Sequence, residues 1–122
     1  MEEWKINSIK KNGNIKTVEV WTVELNPTKG AEINKTRPCI IIGPKSINKM
    51  LNTVIVAPLT HSIKNYLSRV DCNFKSEAGQ VVLDQIRAVD KSRLTKKIGK
   101  IDAEISKNVC TILQVMFQFA RI

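Results

Sequence analysis

Short apolar segments, separated by turns that contain glycine or proline, are the feature that most restricts what this chain can fold into. The first segment, 18–25, is rich in valine and threonine and is followed by the turn residues of 26–30. β-Branched and aromatic side chains favour strands, whereas glycine, proline and asparagine favour turns. The sequence therefore predicts a small antiparallel barrel or a half-open sheet. Further predicted strands are 39–43, 53–58, 69–74, 80–83, 84–90 and 97–101.

A helix is predicted from residue 103 to about residue 119. Asp102 is a good N-cap, and Glu104 lies in the first turn, where a negative charge is favourable. We expect most of the apolar stripe of this helix to pack against the sheet, and it could also contact a second subunit. That stripe consists of Ile105, Val109, Ile112, Leu113, Met116 and Ala120. Helical turns are also predicted within 44–52 and 91–94, and a tight turn at 76–79.

The chain is short and strongly basic. Its 122 residues fit one domain, 17–122, preceded by a basic lead segment over residues 1–16. Twenty lysines and arginines against 11 acidic residues give a net charge of +9. This charge favours polyanionic partners such as RNA, DNA, an anionic membrane surface or an acidic protein.

The cysteines and the single histidine argue against a metal site. Cys39, Cys72 and Cys110 are widely spaced and odd in number, which is typical of reduced, buried thiols in a cytoplasmic protein. With one histidine and no closely spaced ligands, no metal or cofactor is expected. Residues 1–16 contain no continuous apolar segment, so we expect neither a signal peptide nor a membrane anchor.

A polar loop that leads directly into the strand at 39–43 carries the first candidate site. Pro38 favours an extended backbone for Arg37, so we expect the guanidinium to lie at the start of that strand. An arginine is always protonated, and its planar fork can bind two phosphate oxygens. Glu32 could orient Arg37 or accept a proton. The alternatives are a salt bridge between the two, a plain surface charge, and a carboxylate that only adds solubility.

A second polar loop follows the strand at 53–58 and begins near Thr60 and His61. The hydroxyl of Thr60 can donate a hydrogen bond to a phosphate oxygen, or it can cap the turn. Histidine is a common proton carrier, so His61 is either such a group or an exposed loop residue. Among the aromatic residues, Tyr66 could stack on bases. Trp21 and Phe74 lie in predicted strands and are better explained as core residues.

The usual signatures of hydrolases and nucleotide-binding enzymes are missing from the sequence. It contains no Walker glycine loop, no GxSxG and no paired metal-ligand motif. The chemistry that remains is the kind that arginines and hydroxyls can assist without a metal. In RNA cleavage by the neighbouring 2′-hydroxyl the substrate supplies the nucleophile, and the protein only positions it, moves protons and stabilises charge on phosphorus.

Three blocks of sequence follow one another along the chain. The first contains Glu19-Val20-Trp21, the segment 25–32 and Lys35-Thr36-Arg37-Pro38, the second is Val56-Ala57-Pro58-Leu59-Thr60, and the third is 82–94, VLDQIRAVDKSRL. In order and spacing, over about residues 17–119, the chain resembles the MazF/PemK (Kid) family of toxin endoribonucleases. The combination of three blocks is far more specific than any one of them.

This resemblance implies a β-rich α+β fold, a small SH3-like β-barrel with a C-terminal helix of the CcdB/Kid type, acting as a homodimer. It also implies a toxin of a type II toxin-antitoxin system that cleaves single-stranded mRNA at a short sequence, independently of ribosomes and metals. The expected products carry 2′,3′-cyclic phosphate and 5′-hydroxyl ends. A cognate antitoxin with an acidic and apolar tail would cover the RNA site, and DNA would be contacted only indirectly through the antitoxin complex.

The resemblance also implies roles for individual residues. The catalytic arginine and hydroxyl of the family fall on Arg37, which would stabilise the pentacoordinate phosphate and protonate the leaving oxygen, and on Thr60, which would hold a phosphate oxygen. Glu32 and Pro38 would shape the site. Possible RNA-binding residues are Lys35, Thr36, His61, Ser62, Lys64, Asp84, Gln85 and Arg87.

The chain departs from the family pattern at three places. Some Kid-type members carry a second catalytic arginine where this chain has Val82, so the mechanism should depend on Arg37 and Thr60. Val18 replaces the glycine that usually precedes the first strand. The lead segment 1–16 is longer than in most members, so its role is not implied by the resemblance.

Two other functions fit the same general outline. CcdB toxins share the barrel but inhibit DNA gyrase through a tail that carries tryptophan, whereas this chain ends Phe119-Ala120-Arg121-Ile122. A non-catalytic RNA-binding module is the third interpretation.

Overall fold

The computed structural model describes residues 18–32 and 35–118, and the predictions for the segment 1–16 and for Ala120 lie outside the described residues. Two α-helices are present in these ranges, α1 (Lys45–Asn48) and α2 (Ala103–Met116), with two 3₁₀ turns, Leu83–Gln85 and Lys91–Arg93. The strands of the same ranges are β1 (Val18–Glu24), β2 (Thr36–Ile42), β3 (Thr53–Thr60), β4 (Arg69–Phe74), β5 (Glu77–Val82), β6 (Arg87–Asp90) and β7 (Leu94–Ile101).

The seven strands form one antiparallel sheet in the order β4-β5-β3-β2-β1-β7, with β6 as an additional partner of β3. Strand β3 pairs with β2 along one side. On its other side its first half pairs with β6, and its last two residues pair with β5. Because β3 alone contacts three strands within the described residues, it holds the two halves of the sheet together.

The sheet buries apolar side chains on both faces, since successive residues of a strand point to opposite sides. One cluster contains Ile40, Ala57 and Val81, and α2 packs on it. The other cluster contains Cys39 and Val56 and lies on the opposite face. Alternate residues of β2 and β3 therefore belong to different cores.

Helix α2 begins and packs as the sequence predicts. The carboxylate of Asp102 accepts a hydrogen bond from the backbone N–H of Ile105 at 2.9 Å, which confirms the N-cap. Val109 is fully buried in the first cluster. Four other residues of the predicted stripe pack against the same cluster and confirm that it serves the core: Ile105, Ile112, Leu113 and Met116.

The outer strands of the sheet approach each other, so the sheet curls into a half-barrel. A Cβ atom added to Gly99 of β7 would lie 2.9 Å from the Phe74 ring of β4, so a larger residue there would displace the ring. Strands β4 and β7 are not hydrogen-bonded to each other. The predicted half-open antiparallel sheet with a C-terminal helix is therefore confirmed.

Most of the predicted strands are confirmed, but two boundaries differ at the candidate site. Strand β2 begins at Thr36, so Arg37 and Pro38 lie inside the strand and not at the end of a loop. The reason is long-range pairing with β1, where Arg37 lies opposite Val23. Thr60 is the last residue of β3 and does not belong to the following loop, because it pairs with Gln80 of β5.

Two local predictions are wrong. The chain reverses at Lys75 and Ser76, which have φ angles of +51° and +64°, and residues 77–79 already belong to β5. A two-residue hairpin turn of type I′ requires positive φ at both positions, and here two residues other than glycine adopt it. The predicted strand over 84–90 is a 3₁₀ turn up to Gln85, followed by the short strand β6. The predicted helical turns within 44–52 and 91–94 are confirmed.

Two of the three cysteines are fully buried. Cys39 and Cys72 lie in the two cores, and Cys110 of α2 is half-buried. Burial raises the pKa of the Cys39 thiol to about 12, although the charge of Arg87 opposes this shift. Burial also raises the pKa of the Cys72 and Cys110 thiols. Among the described residues, no helix is long and apolar enough to cross a membrane.

We expect the folded protein to react with thiol reagents in a fixed order, with Cys110 first and Cys39 last. A thiol with a pKa near 12 is ionised in only about one molecule in ten thousand at pH 8. Labelling with Ellman's reagent, followed by mass spectrometry of the peptides, measures the order. Cys39 reacting as quickly in the folded protein as in guanidinium chloride would contradict the burial described here.

Candidate active site

The antiparallel register places Arg37 and Thr60 in one row across the sheet. Cys39 of β2 lies opposite Pro58 of β3. Continuing this register by two residues brings Arg37 opposite Thr60, and Thr60 lies opposite Gln80 of β5. Residues that face each other across antiparallel strands lie on the same face of the sheet. Side chains that are far apart in the sequence therefore meet at one end of β2, β3 and β5.

Predicted site residues line two separate cavities. The first has a volume of about 210 Å³ and is lined by Arg37, Pro38, Thr60 and His61 together with Lys75, Glu77 and Gly79. The second has a volume of about 200 Å³ and is lined by Glu32, Asp84, Gln85 and Arg87 together with Leu25 and Pro58. The structure thus divides eight of the predicted site residues between two cavities, with Arg37 and Thr60 in the first and Glu32 in the second.

The hydroxyl of Thr60 has the second of the two roles predicted for it, the cap of the turn. Its oxygen accepts a hydrogen bond from the backbone N–H of Ser62 at 3.1 Å, so it caps the start of the following loop. This bond uses the oxygen only as an acceptor and leaves the hydroxyl hydrogen for a ligand. The cap also fixes the side chain, because the hydroxyl is tied to the backbone two residues ahead.

Gly79 allows β5 to approach Thr60 closely. A Cβ atom at position 79 would lie 2.6 Å from the backbone oxygen of Thr60 and 3.9 Å from Nδ1 of His61. Real Cβ atoms essentially never show the shorter of these distances. Any larger residue would therefore push Thr60 away from β5, whereas the distance to His61 is an ordinary contact.

His61 is an exposed loop residue, and both of its ring nitrogens have neighbours. Nδ1 lies 3.3 Å from the carbonyl oxygen of Ala78, and Nε2 lies 3.2 Å from a carboxylate oxygen of Glu77. The side chains of His61 and Glu77 are 74% and 68% exposed, so water screens this pair. The ring is nevertheless oriented, and it lines the same cavity as Arg37 and Thr60.

The loop between β1 and β2 is held by its own polar groups. The carboxylate of Glu32 accepts a hydrogen bond from the backbone N–H of Lys29 at 2.8 Å, so Glu32 orders the loop. The N–H of Lys35 donates to the side chain of Asn26 at 3.1 Å, and the hydroxyl of Thr36 donates to Glu24 at 3.2 Å. Glu32 lines the second cavity, whereas Arg37 lines the first.

Arginines also support the base of this loop. Arg87 is half-buried and donates to the carbonyl oxygen of Leu25 at 2.9 Å. Arg93 donates to the carbonyl oxygens of Glu24 and Asn26. Arg87, which the resemblance assigns to RNA binding, therefore also has a structural contact in this structure.

Asp84 contacts the end of the loop between β3 and β4, residues 61–68, and Lys64 lies within this loop. The carboxylate of Asp84 accepts hydrogen bonds from Arg69 at 3.0 Å and from the hydroxyl of Ser68 at 2.9 Å. The backbone of Lys64 is bonded to the side chain of Gln80, while its own side chain is exposed. The side chains of Ser62 and Lys64 are thus presented to solvent by a bonded backbone.

Sequence reasoning missed three residues of this region, namely Arg69, Gly79 and Gln80. The sequence predicts Gly79 within a turn, and Arg69 and Gln80 at the starts of two strands. A buried glutamine on a strand gives no signal of its own in a single sequence, because its hydrogen-bond partners are 9 to 16 residues away. A metal is not indicated by the described part of the chain, in which no group of three or more histidine, cysteine or acidic side chains could hold an ion.

The sequence is similar to two curated bacterial proteins over most of its length. It is 32% identical over 107 residues to Endoribonuclease EndoA of Bacillus subtilis, with 83% of this chain and 92% of the relative covered. It is 30% identical over 103 residues to Endoribonuclease MazF of Staphylococcus saprophyticus, with 80% and 86% covered.

The fold is similar to that of solved toxin structures. MazF from Deinococcus radiodurans superposes with a TM-score of 0.71 at 23% identity, covering 84% of this chain and 94% of that one. A mycobacterial endoribonuclease in complex with its cognate antitoxin gives a TM-score of 0.70 at 17% identity, with 85% and 95% covered. At these identities the comparison shows a shared fold.

A protein-family model matches nearly the whole chain. The model for the PemK-like, MazF-like toxin of type II toxin-antitoxin systems matches residues 16–117, which include every strand and helix described above. Together with the 32% identity to EndoA, this match shows that the chain belongs to the PemK-like, MazF-like toxin family of type II toxin-antitoxin systems.

Proposed function

We propose that this chain is the toxin of a type II toxin-antitoxin system and a sequence-specific endoribonuclease that cleaves single-stranded mRNA without ribosomes or metal ions. The observation that carries the proposal is the common cavity of Arg37 and Thr60, which lie 23 positions apart in the sequence. Family membership and the two curated relatives, both named endoribonucleases, support the enzyme class. These names do not favour the gyrase inhibitor considered above.

In the proposed reaction the 2′-hydroxyl attacks the adjacent phosphorus while the bond from phosphorus to the 5′-oxygen breaks. The products are a 2′,3′-cyclic phosphate and a 5′-hydroxyl. The guanidinium of Arg37 stabilises the negative charge of the pentacoordinate phosphate, and the Thr60 hydroxyl donates to a phosphate oxygen. The attacking hydroxyl loses a proton and the leaving oxygen gains one. The leaving oxygen takes its proton from Arg37, which regains one from water. His61, beside Thr60 in the same cavity, is placed to receive the proton of the 2′-hydroxyl and to return it to water.

The remaining candidate residues bind and position the RNA in this proposal. Lys35, Thr36 and Lys64 are exposed near the candidate site, where their side chains can contact phosphates or bases. Glu32, Asp84, Gln85 and Arg87 line the second cavity, which would receive a nucleotide next to the cleaved bond. The net charge of +9 attracts the strand from a distance.

The proposed protein partners are a second copy of the chain and a cognate antitoxin. Several large apolar side chains are exposed in the single chain, including Met50 at 81%, Leu51 at 50% and Ile55 at 44%. Exposed apolar side chains of this size support an interface between copies of the chain. A solved mycobacterial relative of similar fold is in complex with its cognate antitoxin. DNA contact would occur only through such a complex.

Replacing either Arg37 or Thr60 should slow cleavage strongly in a protein that still folds. We expect Arg37→Ala and Thr60→Val to lower the rate by about 10²–10³-fold, since each removes a group that stabilises charge in the transition state. Long single-stranded RNA is incubated with each protein in EDTA, and the ends are mapped. Discrete cuts by wild type that carry a cyclic phosphate and a 5′-hydroxyl establish the activity.

The matched control for Thr60→Val is Thr111→Val on the exposed side of α2, which should cut as wild type does. No cutting by wild type in EDTA would contradict the proposed metal-independent reaction. RNA binding without cutting by wild type would instead favour the non-catalytic module.

Cleavage should weaken steeply as salt is added. On single-stranded RNA the logarithm of kcat/KM should fall with the logarithm of salt concentration by about 0.7 for each phosphate that the protein neutralises. Lys35→Ala should reduce this slope by about 0.7, whereas Lys107→Ala on α2 should leave it unchanged. Activity that stays flat from low to moderate salt would argue against electrostatic binding of the strand.

A single methyl group at position 79 should disturb the site. In Gly79→Ala the added Cβ has no room beside the Thr60 backbone oxygen, so β5 and β3 must separate there. We expect about 1–3 kcal/mol less stability and a clear loss of cleavage rate, measured by urea unfolding and by the RNA assay. Asn73→Ala, an exposed change on β4, is the control. Full activity in Gly79→Ala would show that the position of Thr60 is not critical.

A further inference from the structure

The loop 61–68 has an unusual support for a segment without helix or strand. Most of its side chains are exposed, including Ile63 at 58%, Tyr66 at 56% and Leu67 at 78%. Its backbone, however, is bonded to side chains of β4 and β5, and the hydroxyl of Ser68 donates to Asp84 of the first 3₁₀ turn. A loop that is held in this way displays exposed groups in one fixed arrangement.

Gln80 of β5 makes the central contacts. The residue is 4% exposed, and its side-chain oxygen accepts the backbone N–H of Lys64 at 3.0 Å. Its side-chain nitrogen donates to the backbone oxygen of Lys64 at 3.0 Å and to a carboxylate oxygen of Asp71 at 2.9 Å. The amide therefore bonds both backbone groups of one loop residue, as a neighbouring strand would.

Arg69 of β4 supplies the second set of contacts. Its side chain is only 9% exposed and donates through Nε to Asp84 at 3.0 Å. Its Nη1 lies 3.3 Å from the backbone oxygen of Ser62 and 3.4 Å from the side-chain oxygen of Gln80. The guanidinium carbon lies 5.3 Å from the centre of the Tyr66 ring. Arg69 thus connects the start of the loop, its end and Gln80.

Burying these polar groups is costly unless every one of them is bonded. A buried amide or guanidinium without partners loses its hydration and gains nothing in return, whereas an aliphatic side chain at position 80 would avoid that cost. Among the described residues no buried side-chain nitrogen or oxygen is left without a partner. The polar pair Gln80 and Arg69 is therefore suited to fixing the loop conformation, which an apolar core residue cannot do.

The loop starts directly at the candidate active site. Thr60 immediately precedes it, and the N–H of Ser62 bonds the Thr60 hydroxyl, while the backbone oxygen of Ser62 bonds Arg69. A change in Gln80 or Arg69 would therefore alter how the exposed loop side chains stand relative to Thr60. Any base that contacts the loop would move relative to the reacting phosphate.

We propose that Gln80, together with Arg69, is a positioning residue that fixes the loop 61–68 and thereby determines which RNA sequences are cleaved. This inference rests on the proposed endoribonuclease function. Because a preformed loop discriminates between bases by leaving wrong partners unbonded, a loosened loop should lose discrimination more than it loses the chemical step.

The test compares Gln80→Met, which keeps the length of the side chain and removes its hydrogen bonds, with Gln114→Met on the exposed side of α2. Hydrogen exchange of the Lys64 amide reports the loop directly. We expect this amide to be protected in wild type and in Gln114→Met, and to exchange at least about tenfold faster in Gln80→Met. Cleavage is measured on the RNA found to be cut by wild type and on RNAs with one changed base.

We expect Gln80→Met to lower the preference for the wild-type sequence by about tenfold, through KM more than through kcat. Unchanged preference together with rapid exchange would overturn the proposal, as would a Lys64 amide that stays protected. If wild type cuts no RNA, the proposed function fails and the specificity role fails with it, while the exchange data still decide whether Gln80 fixes the loop.

A second variant covers the case in which Gln80→Met does not fold. Arg69→Lys keeps the positive charge beside Asp84 but cannot bond Asp84 and Ser62 at once with a planar fork. It should show the same change of preference with smaller amplitude. Equal preference in Arg69→Lys and wild type, in a protein that folds, would likewise overturn the role of this pair.

Discussion

The pairing of β3 with its neighbours is the interaction on which the rest of the structure depends. Its register with β2, continued two residues past the last pair of Cys39 and Pro58, brings Arg37 level with Thr60. Its last two residues pair with β5 and add Gln80 to the same row. A shift of one residue in either pairing would turn these side chains to the opposite face. The alternation of the two apolar clusters along β2 and β3 prevents such a shift, because Cys39, Ile40, Val56 and Ala57 would exchange cores.

A second general feature is that several charges of this basic protein serve its own loops. Arg87 and Arg93 bond backbone carbonyls of the β1–β2 loop, and Arg69 bonds the β3–β4 loop and Asp84. Arginine suits this use because its fork can bond several acceptors while staying charged. The net charge of +9 therefore overstates the charge that is available to bind a polyanion. Exposed lysines near the candidate site, such as Lys35 and Lys64, are better placed to bind it.

Much of the fold followed from local pattern. Valine-rich segments gave the strands, and Asp102 with the apolar stripe gave α2, because these signals lie within a few residues of one another. The sequence-based predictions are wrong where pairing between residues far apart in the sequence determines the structure. Strand β2 extends back to Thr36 because β1 offers Glu24 as its partner, and the tight turn lies at Lys75 and Ser76 although glycine stands at 79. For the site, the sequence pattern and the family resemblance named Arg37 and Thr60, but no local signal marks Gly79 or Gln80, whose partners belong to other elements.

The positions of the two loops explain how one small sheet can combine a rigid core with a surface for recognition. The β1–β2 and β3–β4 loops leave the sheet at the same end, since β1, β2 and β3 are consecutive antiparallel neighbours and β4 follows β3. Both loops are bonded by side chains that originate in the sheet and its turns, among them Arg87 for the first and Gln80 for the second. Hydrogen bonds to their backbones thus hold these loops in place, and the exposed side chains of the loops do not need to pack against an apolar core. Residues such as Tyr66 and Lys64 can therefore change without disturbing either core, whereas changes at Gln80 or Arg87 would move a whole loop.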